Sequence, residues 1–267
     1  TILNAKSGRC PENCRYCAQS AHYRTAAATY GMVSPEQALD TARRNEAAGV
    51  QRFSLVTSGR SLPDEDFEAA LAICRLVAAK TKLRLCASFG MLSPARAAAL
   101  RDAGVSMYHH NLEACRAFFP QTCTTHTWEE RRDTIRVAQA AGLEVCSGGI
   151  FGLGETLAHR IDLAFELRDL GIRSVPLNVL MPIPGTPLEA QPALTPEEIL
   201  RSMALFRFVL PEADIRFAGG RALLGDQVAS ALRGGVNAAL TGDLLTTSGS
   251  STSADIALFK RLGFTLQ

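Results

Sequence analysis

Short apolar runs alternate along this chain with longer stretches in which apolar residues recur every three or four positions. The short runs, rich in Val, Ile, Leu and Phe, predict strands over residues 2–5, 52–56, 83–87, 107–112, 144–147, 175–180, 215–218 and 238–241. The longer stretches predict helices over roughly 64–79, 93–103, 128–141, 156–170, 195–209, 223–233 and 253–261. A further helix opens at Ser34-Pro35-Glu36-Gln37, where a capping signal is followed by Pro at the first helical position. Several helical stretches stop at glycine, at Gly49, Gly104, Gly142 and Gly171. Strand and helix repeat about eight times without a long linker, which predicts an α/β fold, a single (β/α)8 TIM-type barrel domain spanning residues 1–267. The Pro- and Gly-rich stretch 182–187 reads as one loop and not a domain boundary.

Composition narrows the classes. The chain has 267 residues, 47% of them hydrophobic, enough for a sizeable core. A net charge of +2 gives no electrostatic case for nucleic acid or an anionic membrane. No apolar run approaches the roughly 20 residues of a membrane span. Eight cysteines without a secretion signal point to a reducing, cytoplasmic setting.

The chemistry is carried by cysteines. Cys10, Cys14 and Cys17 are spaced C-x3-C-x2-C, just after the first predicted strand. Three thiolates on one short loop can hold three corners of a cubane iron–sulfur cluster and leave one iron open to a small molecule. Zinc is the plainer alternative, with His22 as a fourth ligand, and a disulfide is another. Cys86 and Cys146 lie in the third and fifth predicted strands and Arg216 in the seventh. Singly, each reads as a buried small hydrophobe or an arginine paired with a carboxylate. Together they would face inward at one level of the barrel, where thiolates bind a second metal centre.

Tyr16, directly before the third cysteine, makes the loop resemble the radical S-adenosylmethionine (SAM) superfamily. That resemblance implies a [4Fe-4S] cluster whose open iron is chelated by SAM, and cleavage of SAM to a 5′-deoxyadenosyl radical. Segments 10–20, 30–37, 110–113, 146–156 (Cys-Ser-Gly-Gly-Ile-Phe-Gly-Leu-Gly-Glu-Thr), 175–178 with 185–188, and 244–247 resemble the biotin synthase family more closely. The family inserts sulfur into dethiobiotin to form biotin, consumes two SAM per product, and takes the sulfur from an auxiliary iron–sulfur cluster. Its usual auxiliary centre is [2Fe-2S], held by three strand cysteines and one arginine. Cys86, Cys146 and Arg216 match three of these ligands, but the remaining cysteine falls at Ser54. Cys115 and Cys123, after the fourth strand, are the available replacements, and Cys123 is preferred because it borders the stretch leading to Arg131. This departure favours the [4Fe-5S] auxiliary cluster of a variant group over [2Fe-2S].

The resemblance further implies SAM contacts at Tyr16, Asn111, Glu113, Arg131 and Ile150 and substrate contacts at Asn111, Asn178, Thr246 and Thr247. Glu113 stands where family members usually have Asp, and His109 where the usual form has Asn. An amide at Asn178 offers both donor and acceptor to the ureido ring. His22, His126 and His159 read as surface or supporting residues, Phe53, Phe89 and Phe217 as core, and Cys74 as helix packing. Reduced flavodoxin or ferredoxin is the expected electron donor, a homodimer the expected assembly, and an extra helix before the cluster loop is expected from the superfamily. Competing readings are another radical SAM enzyme on the same barrel, of hydrogenase-maturase or methylornithine-synthase type, and a non-enzymatic scaffold whose cluster has four protein ligands.

Overall fold

The computed structural model describes residues 1–243, 245 and 249–265. Every strand ladder in it is parallel. Strands β1 (Ile2–Lys6), β2 (Arg52–Thr57), β3 (Arg84–Ser88), β4 (Val105–His109) and β5 (Glu144–Cys146) lie side by side, followed by β7 (Ser174–Val179), β8 (Asp214–Phe217) and β9 (Ala238–Ala239). A short β6 (Gly149–Phe151) continues the line of β5 and also pairs with β7. The sheet curls into an α/β TIM-type arrangement. Among the described residues no ladder joins β1 to β9, so the curl is open there.

The crossovers are helical, as parallel neighbours require. They include α1 (Pro35–Ala47), α2 (Asp64–Lys80), α3 (Pro94–Asp102), α4 (Trp128–Ala140), α5 (Leu157–Asp169), α6 (Pro196–Val209) and α7 (Val228–Arg233), with α8 (Thr252–Arg261) following β9. Ser34, Thr127, Thr156 and Thr195 each cap a helix by accepting the N–H three residues on, and the side chain at that position returns the bond. His159 is one of those returning side chains. Phe53, Phe89 and Phe217 are fully buried, and Cys74 packs in α2 without solvent contact, as the periodicity predicted. No described helix is long and apolar enough to cross a membrane.

Three elements near the site or the chain's end depart from the sequence pattern, and the last strand, β9, also stops two residues short of its predicted end at 241. The fourth strand ends at His109, short of residue 112, and Glu113 turns into the left-handed region at φ 69°. The fifth strand is broken at Ser147–Gly148 and resumes at Gly149. A β-carbon on Gly148 would sit 1.9 Å from the Pro176 carbonyl oxygen, and one on Gly149 would sit 2.5 Å from that of Glu113. The chain is squeezed between two backbones there, which periodicity alone does not reveal. The predicted helix 223–233 is a 3-10 turn over Arg221–Gln227, kinked at Gly225, before α7.

Candidate active site

The C-terminal ends of the strands surround a cavity of about 310 Å³. Its wall includes Cys10, Cys14 and Cys17 from the loop after β1, Asn111 and Glu113 from the segment after β4, Arg131 of α4, and Cys146, Asn178 and Arg216 from the later strands. Tyr16 and His109 line it as well.

The cysteine loop is held by its own backbone and by a second loop. Cys10 N–H donates to Gln19 O (3.0 Å), and Ala21 N–H donates to Cys10 O (2.8 Å). Asn13 Oδ1 accepts from Thr124 N (2.9 Å), Arg15 N–H donates to Thr122 O (3.0 Å), and Thr125 Oγ1 donates to Glu12 Oε2 (2.5 Å). The buried Glu12 carboxylate also contacts His126 Nδ1 and pairs with Arg60 (3.3 Å). Burial opposes ionisation of Glu12, but the bonds from Thr125, His126 and Arg60 prevail and lower its pKa. Glu12 and Arg60 were not singled out by the sequence; an acid inside the cysteine loop was the one available signal. His126, read as a supporting residue, is buried in this network. His22 instead contacts Pro11 O from an exposed position (2.9 Å).

Burial drives the cysteine thiols toward the protonated form. Cys17 is pushed up to about 11, and Cys10 is raised by the same cause. Cys14 is raised by its contact with Cys123 and then by burial. A bound metal replaces the proton of such thiols, and three of them on one short loop are a donor set that a metal cluster takes.

Above the loop lies a polar wall. Arg131 Nη1 donates to Asn111 O (2.8 Å), its Nε donates to His126 Nε2 (2.9 Å), and Nη1 stands 3.8 Å from Glu113 Oε1. Asn111 Oδ1 accepts from Gly148 N (3.1 Å), and Glu113 O accepts from Ile150 N (2.9 Å). Burial raises the Glu113 carboxyl pKa even though Arg131 and Asn111 pull it down. Asn178 donates to Gly149 O (3.3 Å) and accepts from Gly219 N (2.9 Å). One amide hydrogen and one lone pair remain for another partner. Thr246 and Thr247 lie outside the described residues.

Deeper in the sheet, register brings the remaining candidates together. Ser54 pairs with Cys86, Cys86 with Met107, His109 with Cys146, and Cys146 with Ser174. Arg216 pairs with Pro176, two residues beyond Ser174 on the same face. Cys86, Met107 and Cys146 form a buried group separate from the main core. Arg216 Nη2 donates to Ser174 Oγ (3.0 Å), while its buried Nε has no partner. Among the described residues no carboxylate lies within 4.0 Å of this guanidinium. Burial opposes ionisation of the Cys146 thiol, but His109 and Arg216 outweigh it and bring its pKa down to about 7. These buried cationic and thiol groups fit an anionic, thiolate-ligated centre.

The structure groups Cys123 with Cys14 and not with the buried Cys86–Met107–Cys146 group: its Sγ, the Cys14 Sγ and a His126 ring nitrogen all lie within 4.8 Å of one another. Cys123 also contacts Asn13 Oδ1 and His126 Nδ1, both at 3.3 Å. The reason is the stitching by Glu12 and Asn13, which draws residues 122–126 outward over the cysteine loop. Cys115 is buried in the main core, where its carbonyl accepts from Phe118 and Phe119.

The Radical SAM superfamily model matches residues 5–167, and the Biotin and Thiamin Synthesis associated domain matches residues 176–265. The ladder from β6 to β7 crosses from one matched region to the other. The chain is 56% identical over 264 residues to biotin synthase of Heliobacterium modesticaldum, covering 98% of this chain and 81% of that protein. It is 51% identical over 263 residues to that of Acetivibrio thermocellus, covering 98% and 82%. Among solved structures, methylornithine synthase superposes with a TM-score of 0.83 at 17% identity, over 100% of this chain and 82% of that one. The FeFe-hydrogenase maturase of Carboxydothermus hydrogenoformans gives 0.81 at 19% identity, over 99% and 66%. The last two likenesses speak to the fold alone, whereas the first two cover nearly the whole chain at high identity. The chain therefore belongs to the biotin synthase family of radical SAM enzymes.

Proposed function

We propose that this chain inserts sulfur into dethiobiotin to form biotin, with a [4Fe-4S] cluster at Cys10, Cys14 and Cys17 and an auxiliary cluster held in part by Cys86, Cys146 and Arg216. The observation that supports this is one cavity whose lining includes the loop cysteines, Cys146, Arg216 and the Asn111, Glu113 and Arg131 side chains. When bound, the first cluster and SAM supply hydrogen abstraction and the auxiliary cluster supplies sulfur.

The chain's part is to bind and orient. Tyr16 and Ile150 offer apolar surface to an adenine. Arg131 holds Asn111 and Glu113 in place, and these present a carboxylate and an amide to the amino acid end of SAM. Asn178 presents its spare donor and acceptor to a urea. Thr246 and Thr247 are assigned to the substrate carboxylate. Holding the reactants at contact distance supplies the rate advantage of an intramolecular reaction. Ser54 in place of a thiolate favours [4Fe-5S] over [2Fe-2S] at the auxiliary centre. A reduced flavodoxin or ferredoxin as donor, a homodimer, a single domain and a cytoplasmic setting belong to the same reading.

The test is turnover by anaerobically reconstituted protein, wild type against the Cys86→Ala, Cys146→Ala double variant. The wild type is expected to convert dethiobiotin to biotin, and the double variant to cleave SAM without making biotin. Biotin formation by the double variant at the wild-type level overturns the assignment of these residues; SAM cleavage without biotin in the wild type overturns the function.

A further inference from the structure

We infer that His109 is a protein ligand of the auxiliary cluster, occupying the place that Ser54 leaves open; this rests on the function proposed above. Three observations converge on His109. Register sets it opposite Cys146 on β5, and it lies two residues beyond Met107, on the face of β4 that completes the Cys86–Met107–Cys146 group. Its Nδ1 shares a hydrogen bond with Ser54 Oγ (3.4 Å) across 55 residues of sequence. Its Nε2 is buried and has no hydrogen-bond partner.

A metal-ligating imidazole has this construction. One nitrogen carries the proton and donates it to a fixed acceptor, which sets the tautomer and the ring plane, while the other nitrogen presents its lone pair to the metal. Here Ser54 is the acceptor. A serine hydroxyl is a poor iron ligand, but on β2 it stands within reach of a residue on β4 that is a good one. The orphaned Nε2 argues against a purely structural role, because a buried ring nitrogen without a partner destabilises the fold. Arg216 contributes a second unpartnered buried nitrogen, Nε, to the same chamber. The resulting donor set is two thiolates, one imidazole and one guanidinium. It holds one imidazole in place of one thiolate of the usual set, and a neutral ligand in that place raises the net charge of the site by one.

The experiment uses the full chain with ¹⁵N-labelled histidine, reconstituted anaerobically and reduced without SAM. Pulsed EPR of the wild type is expected to show a directly bonded histidine nitrogen that is lost in His109→Asn. Iron and sulfide in His109→Ala are expected to fall to the level of the Cys86→Ala, Cys146→Ala double variant, and His109→Cys, which restores a thiolate, to regain them. Absence of a bonded histidine nitrogen in the wild type, or its persistence in His109→Asn, overturns the inference. So does wild-type iron in His109→Ala. The two readings separate in one comparison. If the wild type holds no more iron than the double variant, the auxiliary centre itself is absent and both fall. If the wild type holds the extra iron and His109→Ala keeps it, the ligand assignment alone falls.

Discussion

Replacing Gly148 by alanine tests how the broken fifth strand builds the site. The added β-carbon would lie 1.9 Å from Pro176 O and 2.9 Å from its carbonyl carbon, where real contacts do not fall below 3.0 Å. Both atoms are backbone of β7, so no side chain can rotate away, and the strands must part by about 1 Å. Overpacking of this kind costs about 1–3 kcal/mol. The parting also strains the Asn111–Gly148 bond of 3.1 Å and the Glu113–Gly148 bond of 3.0 Å, each worth about 0.5–1.5 kcal/mol. Gly148→Ala is therefore expected to lose roughly 2–6 kcal/mol, a fall in Tm of roughly 4–24 °C. Gly31→Ala is the control, since nothing lies within 4 Å of its β-carbon and its φ is not positive; it should stay within about 0.5 kcal/mol of wild type. The assay is urea unfolding of the reduced apoprotein under argon, followed by circular dichroism and by the single tryptophan, Trp128. Gly148→Ala within about 0.5 kcal/mol of wild type, with SAM binding unchanged, would refute the steric reasoning.

Further outcomes follow from other parts of the structure. Arg160→Met strands the buried Glu155 carboxylate, now paired at 2.6 Å, and should cost about 3–5 kcal/mol in the same urea experiment; adding Glu155→Gln should recover part of it. Burial raises the Glu166 carboxyl pKa to about 7, outweighing the Arg116 backbone N–H that lowers it. The folded state then binds a proton that the unfolded state has released, so this group's stability is full below its ordinary value near 4.5 and is lost as pH rises through about 7. Urea midpoints at about pH 5 and about pH 8 should therefore differ less in Glu166→Gln than in wild type, and an equal difference would exclude the effect. Cys123→Ala should keep the iron that depends on Cys86 and Cys146, since Cys123 contacts Cys14 instead; loss of that iron on metal analysis would return Cys123 to the auxiliary centre.

Much of this was legible along the chain because the signals are local. A capping box closes over three residues, as from Thr127 to Glu130, and a parallel strand buried on both faces is a short apolar run. The cysteine spacing lies within eight consecutive residues, so it announces a cluster loop before any fold is known. Cys86, Cys146 and Arg216 were legible as a group once the strand count was right, because alternation along each strand assigns them to the inner face.

Other features depend on which strands are neighbours and how the loops run. Cys123 was read toward the auxiliary group from its place after the fourth strand. The bonds that carry it to Cys14 join residues 110 to 114 apart, through Asn13 and Glu12 side chains that no periodicity marks. His109 looked like a lone substitution in a strand until register set it beside Cys146 and within reach of Ser54. Spacing and periodicity by themselves determined the strand and helix order and the three-cysteine loop, because both arise from hydrogen bonds and solvent exposure within a few residues. Only the tertiary structure decided the break at Gly148, the company of Cys123 and the partners of His109. Each rests on close contact between segments far apart in the chain, and that distance is set by packing of the whole sheet.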